Sequence, residues 1–276
     1  MFFQRCLNML RKIRLAKDIL MDTRKGRYLT VLPDDIFIVS YPKSGNTWMR
    51  FLIGNLLFQD EPITFSNIEF KVPDIYRNSN RKLLKISSPR ILKSHEYFDP
   101  RYRKVIYIVR DPRDIAVSYY YHSLKFKIIN KEQKLDRFVD QFIRGEIDNF
   151  GSWEENVGSW LGARKEDSEF LLLRYEDIIN GAQDALKKIA IHLDINVKDE
   201  AIVRAVELSS FDRMRILEKR QSNEWRPTKN SNKNLSLVRK AQCGDWINEL
   251  SREESEKIEK AWKDLMSMLG YFYDEQ

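Results

Sequence analysis

The chain is predicted to be an α/β protein: a single domain with three α/β/α layers around a central parallel sheet. Three observations predict this. Short apolar runs recur along the sequence, each is followed by a helical periodicity, and the first is joined to its helix by a glycine-containing turn suited to phosphate. Strands that are apolar on both faces and alternate with helices belong to parallel sheets covered on both sides. In such sheets ligands bind at the carboxyl ends of the strands. The residues that directly follow each apolar run are therefore the candidate site.

Ile36-Phe37-Ile38-Val39 is the first strand, and Thr47 to Phe58 reads as its helix, with Trp48, Phe51, Leu52, Leu56 and Leu57 at helical spacing. A polar, proline-containing stretch from about Gln59 to Pro89 reads as loop with short helices. Ile91-Leu92 and the run Val105 to Val109 are further buried strands, the second followed by a helix over Ile115 to Leu124. Helical segments run from about Lys134 to Arg164. Phe170 to Leu173 is the fourth strand, and more helix runs from Ile178 to about Glu207. Arg220 to Arg239 is basic and aperiodic, which predicts a long loop, and Glu253 to Leu269 is a final helix.

The 276 residues suffice for one large core and are short for two. Forty-eight basic residues stand against 41 acidic ones, a net charge of +7. Such a surplus favours an anionic partner or is simply a solvated basic surface. Cys6 and Cys243 lack the spacing of a zinc site or a disulfide framework, which fits a reducing compartment. No apolar run reaches the ~20 residues that span a bilayer. Residues 1–30 read as a separate basic helical segment, in which Arg5, Arg11, Lys12, Arg14 and Lys17 interrupt Phe2, Phe3, Leu7, Leu10 and Ile13. That pattern breaks the apolar stretch a signal peptide needs. It suits packing on the domain, weak peripheral contact with an anionic membrane, or a transit peptide. Residues 31–276 form the main domain.

Between the first strand and its helix lies Tyr41-Pro42-Lys43-Ser44-Gly45-Asn46-Thr47-Trp48. Unpaired N–H groups at a helix N-terminus form an anion site. Lys43 adds a charge, Ser44 and Thr47 add hydroxyls, and Gly45 allows close approach. In a Walker A loop the lysine follows the glycine and precedes the Mg²⁺-binding hydroxyl; here it precedes the glycine. A metal-assisted kinase of a small molecule stays open as a second reading. A non-catalytic binding protein is a third, although the cations are not interleaved with aromatics as in nucleic-acid binders.

The loop resembles the 5′-phosphosulfate loop of the cytosolic-type sulfotransferase family, usually Y-P-K-S-G-T-T-W, with Asn46 a departure. Arg110-Asp111-Pro112 through Ser118 resembles the family's 3′-phosphate motif R-N-P-x-D-x-x-V-S. Leu92-Lys93-Ser94-His95 is similar to its K-T-H, Arg174-Tyr175-Glu176-Asp177 to its R-Y-E-D, and Ser209-Ser210-Phe211 to its T-S-F. Arg239-Lys240-Ala241 through Trp246 resembles R-K-G-x-x-G-D-W, with Ala241 in place of glycine. The family's dimer segment after G-D-W is not kept, since Ile247 stands for its lysine and Ser251-Arg252 for its T-V. The motifs keep the family's order from about Ile36 to Trp246.

The resemblance implies a P-loop-like fold and a sulfotransferase that uses 3′-phosphoadenosine 5′-phosphosulfate (PAPS), releases adenosine 3′,5′-bisphosphate (PAP) and requires no metal. It implies His95 as general base and Lys43 and Lys93 as stabilising cations. Lys43, Ser44, Gly45, Asn46, Thr47 and Trp48 would hold the 5′-phosphosulfate end of the donor. Arg110, Ser118, Arg239, Lys240 and Ala241 would hold its 3′-phosphate, and Tyr175, Ser209 and Phe211 its adenine, with Phe211 stacking opposite Trp48. The acceptor would be a hydroxyl or amine of a small molecule, lipid or carbohydrate, not a nucleic acid. It would be met by the segments Glu61–Pro89, Lys125–Lys134 and Arg220–Val238 in a cytoplasmic protein. His122 and His192 lie in helical patterns and receive no role.

Overall fold

The computed structural model describes residues 21–221, 223, 225, 228, 229, 231–238 and 242–271. The N-terminal segment over 1–20 and the expected phosphate ligands Arg239, Lys240 and Ala241 lie outside the described residues.

After a 3₁₀ turn at Gly26–Tyr28, strand β1 (Ile36–Ser40) leads into helix α1 (Asn46–Leu57). Two short helices, α2 (Ile68–Lys71) and α3 (Asn80–Leu83), precede β2 (Ile91–Ser94) and β3 (Lys104–Val109). Helices α4 (Pro112–Lys125), α5 (Leu135–Ile143) and α6 (Trp153–Arg164) then lead to β4 (Phe170–Arg174). The chain finishes with α7 (Tyr175–Asn180), α8 (Ala182–His192), α9 (Asp199–Leu208), α10 (Phe211–Gln221), α11 (Trp246–Glu249) and α12 (Arg252–Met268). The strands lie in the order β2-β1-β3-β4, every pair parallel.

The alternation of side chains along each strand divides the interior into two cores. Phe37, Val39, Val105, Tyr107 and Val109 face one layer, where α4, α5, α6 and α12 bring Ile115, Phe138, Phe142, Trp153, Trp160 and Trp262. Ile36, Ile38, Ile106 and Ile108 face the other, against Phe51, Leu52, Leu186, Ile189 and Ala205 of α1, α8 and α9. The expected three-layer parallel architecture is therefore present. Below the sheet, Arg90 and Asp35 form a fully buried bidentate pair (2.7 and 2.5 Å) that ties the start of β2 to the start of β1.

Helix α10 begins at Phe211 and reaches Gln221, so the expected loop from Arg220 starts slightly later. Its described remainder has no periodicity of its own and is strapped down by polar contacts. The backbone N–H groups of Leu237 and Val238 donate to the Glu218 carboxylate (2.7 and 3.2 Å), and Lys125 pairs with that carboxylate at 3.2 Å.

Candidate active site

The carboxyl ends of β1, β2, β3 and β4 open onto one cavity of about 570 Å³. Its floor is the loop after β1. Gly45 has φ 95 there, and a Cβ at that position would lie 2.4 Å from the Tyr175 ring, so only glycine fits. Lys43 also takes a positive φ of 71, a conformation that costs a non-glycine residue energy. Among the described residues, the N–H groups of Gly45, Asn46, Thr47 and Trp48 donate to nothing. They lie at the positive end of the α1 dipole. Asn46 donates instead to Ile38 O (3.1 Å) and Ser40 Oγ (3.2 Å), which ties the loop to β1. The buried Ser44 hydroxyl has no protein partner among the described residues.

Arg110 follows β3 and spans the site. One terminal nitrogen donates to Lys43 O (3.3 Å), the other to Gln242 O (3.2 Å), and its guanidinium lies 4.3 Å from the Tyr175 ring centre. Its buried Nε donates to no described group. Ser118 lines the cavity one helical turn beyond Asp114, which accepts from the N–H groups of Gly244 (2.8 Å) and Trp246 (3.1 Å). Asp114 thus anchors the chain that emerges from residues 239–241 against α4. The sequence reading missed it, although an acid four residues after Arg110 was the available signal.

Trp48, Tyr175 and Phe211 form one aromatic wall. Trp48 meets Tyr175 edge-on at 5.8 Å, and its ring centre is 4.6 Å from that of Phe211 at 39°. A base between two rings needs roughly 7 Å, twice a van der Waals contact. Trp48 and Phe211 touch in this arrangement, so a base enters between them only if Phe211, the first residue of α10, moves outward. Ser209 is fully buried. Its hydroxyl donates to Ala205 O (2.7 Å) and accepts from Asn55 Nδ2 (3.0 Å), and its carbonyl accepts from Trp48 Nε1 (3.0 Å). Its proton is used within the protein, so its contribution is to fix Trp48.

His95 stands at the end of β2. Nδ1 is 2.6 Å from Ser40 O, an acceptor, so Nδ1 carries the proton and Nε2 is the free base. Its own backbone N–H donates to Tyr76 Oη (2.8 Å) and its carbonyl accepts from Asn156 Nδ2 (3.0 Å), which holds the residue at both ends. Burial drives its pKa well below the usual histidine value, and the charges of Lys93 and Lys43 drive it further. The ring is neutral at pH 7.

Lys93, two residues earlier, is buried and paired with Asp74 at 2.9 Å. Burial lowers its pKa despite that partner. Burial alone would raise Asp74, but Lys93, Arg77 and Arg50 outweigh it and hold the carboxyl well below the ordinary range. The Nζ of Lys43 lies 3.2 Å from Nδ1 of His122 on α4. Burial, then the cations Lys43, Arg77 and Lys93, keeps His122 neutral too. His122 was given no role from sequence, because a helical pattern hides which turn faces a cavity. His192 lies at the end of α8, outside the cavity lining.

The three segments expected to meet an acceptor supply Asp74, Tyr76 and Arg77, then Phe126, then Trp225, Leu237 and Val238 to the cavity. Of the phenylalanines in the first two segments, Phe126 lines the cavity, Phe65 is core, and Phe70 is 74% exposed. Among the described residues, no group of three or more His, Cys, Asp or Glu is placed to hold a metal ion, and no helix is long and apolar enough to cross a membrane.

Fold and site together define an enzyme of the P-loop-like α/β class, with a strand-to-helix loop of unpaired N–H groups and a half-buried histidine directly after the neighbouring strand. Residues 33–270 match the sulfotransferase domain model, and the chain belongs to the PAPS-dependent sulfotransferase family. It is 31% identical to a 3-beta-hydroxysteroid sulfotransferase of Cavia porcellus, over 87% of this chain and 86% of that protein. It is 30% identical to sulfotransferase 2B1 of Homo sapiens, over 89% of this chain and 70% of that protein. Among solved structures, mouse sulfotransferase SULT7A1 complexed with PAP aligns with a TM-score of 0.69 at 27% identity, over 86% of this chain and 85% of that one. Retinol dehydratase in complex with retinol and PAP shares the fold, with a TM-score of 0.75 at 22% identity over 90% and 85% of the two chains.

Proposed function

We propose that this sulfotransferase takes its sulfuryl group from PAPS and passes it to a hydroxyl or amine by in-line displacement, with His95 as general base. The observation that carries the reading is the pairing of two anion sites in one cavity. One is the N-terminus of α1 with Lys43 and the unpartnered Ser44 hydroxyl; the other is Arg110 with Ser118. The unpartnered Arg110 Nε is a further buried donor that a phosphate oxygen would satisfy. A 3′-phosphorylated nucleotide fits both sites, whereas an ordinary nucleoside triphosphate leaves the second idle. Arg239, Lys240 and Ala241 would add to the second site, as the resemblance implies.

When bound, the donor supplies an activated sulfur whose bond to the bridging oxygen breaks as the acceptor oxygen attacks. Nε2 of His95 removes the acceptor proton. Lys43 and the N–H groups of α1 stand where negative charge develops on the leaving side, and preorganised donors in a dry site stabilise such charge. Lys93 adds positive charge beside His95, shared with Asp74.

Relatives named for hydroxysteroids support a small-molecule acceptor. We place the protein in the cytoplasm, with residues 31–276 as the catalytic domain and the basic segment over 1–30 available for weak membrane contact. Thermal unfolding with PAP, AMP and ATP, with and without Mg²⁺, tests the donor. A ligand at a hundred times its dissociation constant stabilises by about 2.7 kcal/mol. A shift with PAP alone, indifferent to Mg²⁺, is expected; a Mg²⁺-dependent shift with ATP alone would return the kinase reading.

A further inference from the structure

Beyond His95 the cavity continues into a part not assigned to the donor. Asp74, Tyr76 and Arg77 enter it from the segment before β2, facing Asp148, Phe150 and Trp225. Arg77 is held there from one edge and one face. Its Nε lies 3.2 Å from Asp74 Oδ2, its backbone N–H donates to Asp74 O, and its guanidinium carbon sits 5.8 Å from the Trp225 ring centre. The terminal nitrogens Nη1 and Nη2 have no partner among the described residues, and the side chain is 42% exposed at the cavity. A fixed guanidinium with its fork free is suited to bidentate capture of an oxyanion.

The surrounding charge agrees. Asp74 is shared between Arg77 and Lys93, so the three carry one net positive charge. Asp148, across the cavity, accepts from the Tyr119 hydroxyl and the Phe150 N–H, so its oxygens are engaged away from Arg77 by groups of its own side of the site. An aromatic surface lines the same cavity beside His95. The ring of Tyr76 is nearly parallel to His95 (11°, centres 6.2 Å apart), and Phe150 packs edge-on against both at 5.2 and 5.5 Å.

We propose that Arg77 anchors an anionic group of the acceptor. The acceptor is then a hydroxyl-bearing molecule with a flat apolar body against Tyr76 and Phe150, its hydroxyl at His95 and a carboxylate or phosphate-like group on the Arg77 fork. This rests on the sulfotransferase reading for the identity of the acceptor end, but the binding it predicts needs no turnover.

The test is calorimetric titration of the full chain, with and without saturating PAP, using four phenols: 3-(4-hydroxyphenyl)propanoate, its methyl ester, 4-hydroxybenzylphosphonate and tyramine. The two anions should bind about tenfold or more tightly than the ester, as a charge-assisted pair predicts, and tyramine should bind worst. The carboxylate and the phosphonate, compared directly, report which oxyanion the fork prefers. Arg77→Gln should bring anions and ester to within about twofold of each other, and Arg77→Lys should restore part of the preference. The proposal is overturned if the ester binds as well as the anions, if Arg77→Gln keeps the preference, or if none of the phenols binds. PAP affinity, read in the same experiment, reports separately on the donor site.

Discussion

Lys43 on the phosphate loop and His122 on helix α4 are joined through an Nζ–Nδ1 contact of 3.2 Å. The neutral imidazole accepts from the ammonium, and this fixes where a positive charge sits beside the donor loop. Removing the acceptor should leave Lys43 less well placed without unfolding the loop, which Asn46 and Gly45 hold independently. His122→Ala is expected to lower kcat by roughly tenfold with little change in PAP affinity, the size of one hydrogen bond to a charged group. Steady-state kinetics beside PAP titration checks this, and an equal loss in both would assign His122 to nucleotide binding instead.

The His95 pH dependence has a definite sign. A base works only when unprotonated, so activity rises through its pKa. Burial first, then Lys93 and Lys43, moves that pKa well below the usual histidine value. The kcat/KM profile should therefore stay flat through pH 6.5 and fall only at more acidic pH. An inflection at about 6.5 or above would mean that the ring is solvated in the working enzyme. His95→Ala should cost about 10²–10⁴-fold in turnover and leave PAP binding in place.

Much of this site was legible in the sequence because the loop proposed to hold phosphate is local. A strand, a glycine turn and a helix start are contiguous from Ile36 to Leu57, and their chemistry depends on order along the chain. The strands were equally plain, since each is apolar on both faces. What stayed hidden depends on tertiary placement. Nothing in the helical pattern of α4 tells that His122 faces Lys43. Nothing in the aperiodic stretch before β2 tells that Asp74 spans Lys93 and Arg77. Ser209 shows the converse: a residue in a motif position has its hydroxyl committed to Ala205 and Asn55.

Gly45 is the position where backbone alone would decide donor binding at the proposed site. A side chain there meets both a positive φ and the Tyr175 ring. Gly45→Ala should pay ~1 kcal/mol or more for the left-handed backbone and also displace Tyr175 from beneath Arg110. Loss of PAP binding by at least about tenfold is expected, with the far-ultraviolet spectrum unchanged. Retention of wild-type affinity would show that the loop re-forms around the methyl group.

The buried Asp74–Lys93 pair yields a stability prediction with a pH signature. Asp74→Asn leaves Lys93 in a buried site with its carboxylate gone, and breaking a buried pair from one side costs about 3–5 kcal/mol. The loss should not be uniform with pH. The folded Lys93 pKa is already lowered by burial, and removing Asp74 lowers it further. Folding of the variant therefore releases a proton, so its stability should rise as pH increases toward the ordinary lysine pKa of about 10.4. In the wild type the depressed Asp74 pKa acts with the same sign but in an acidic window. Its contribution is complete above the ordinary carboxylate pKa of about 4 and is lost only as pH falls below that. Denaturant unfolding at pH 6 and pH 9 separates the cases. Wild type should change little between them, Asp74→Asn should recover part of its deficit at the higher pH, and the double variant Asp74→Asn with Lys93→Met should be more stable than Asp74→Asn alone. If the single and double variants are equally stable at both values, Lys93 reaches solvent once freed and the pair is not the buried unit described above.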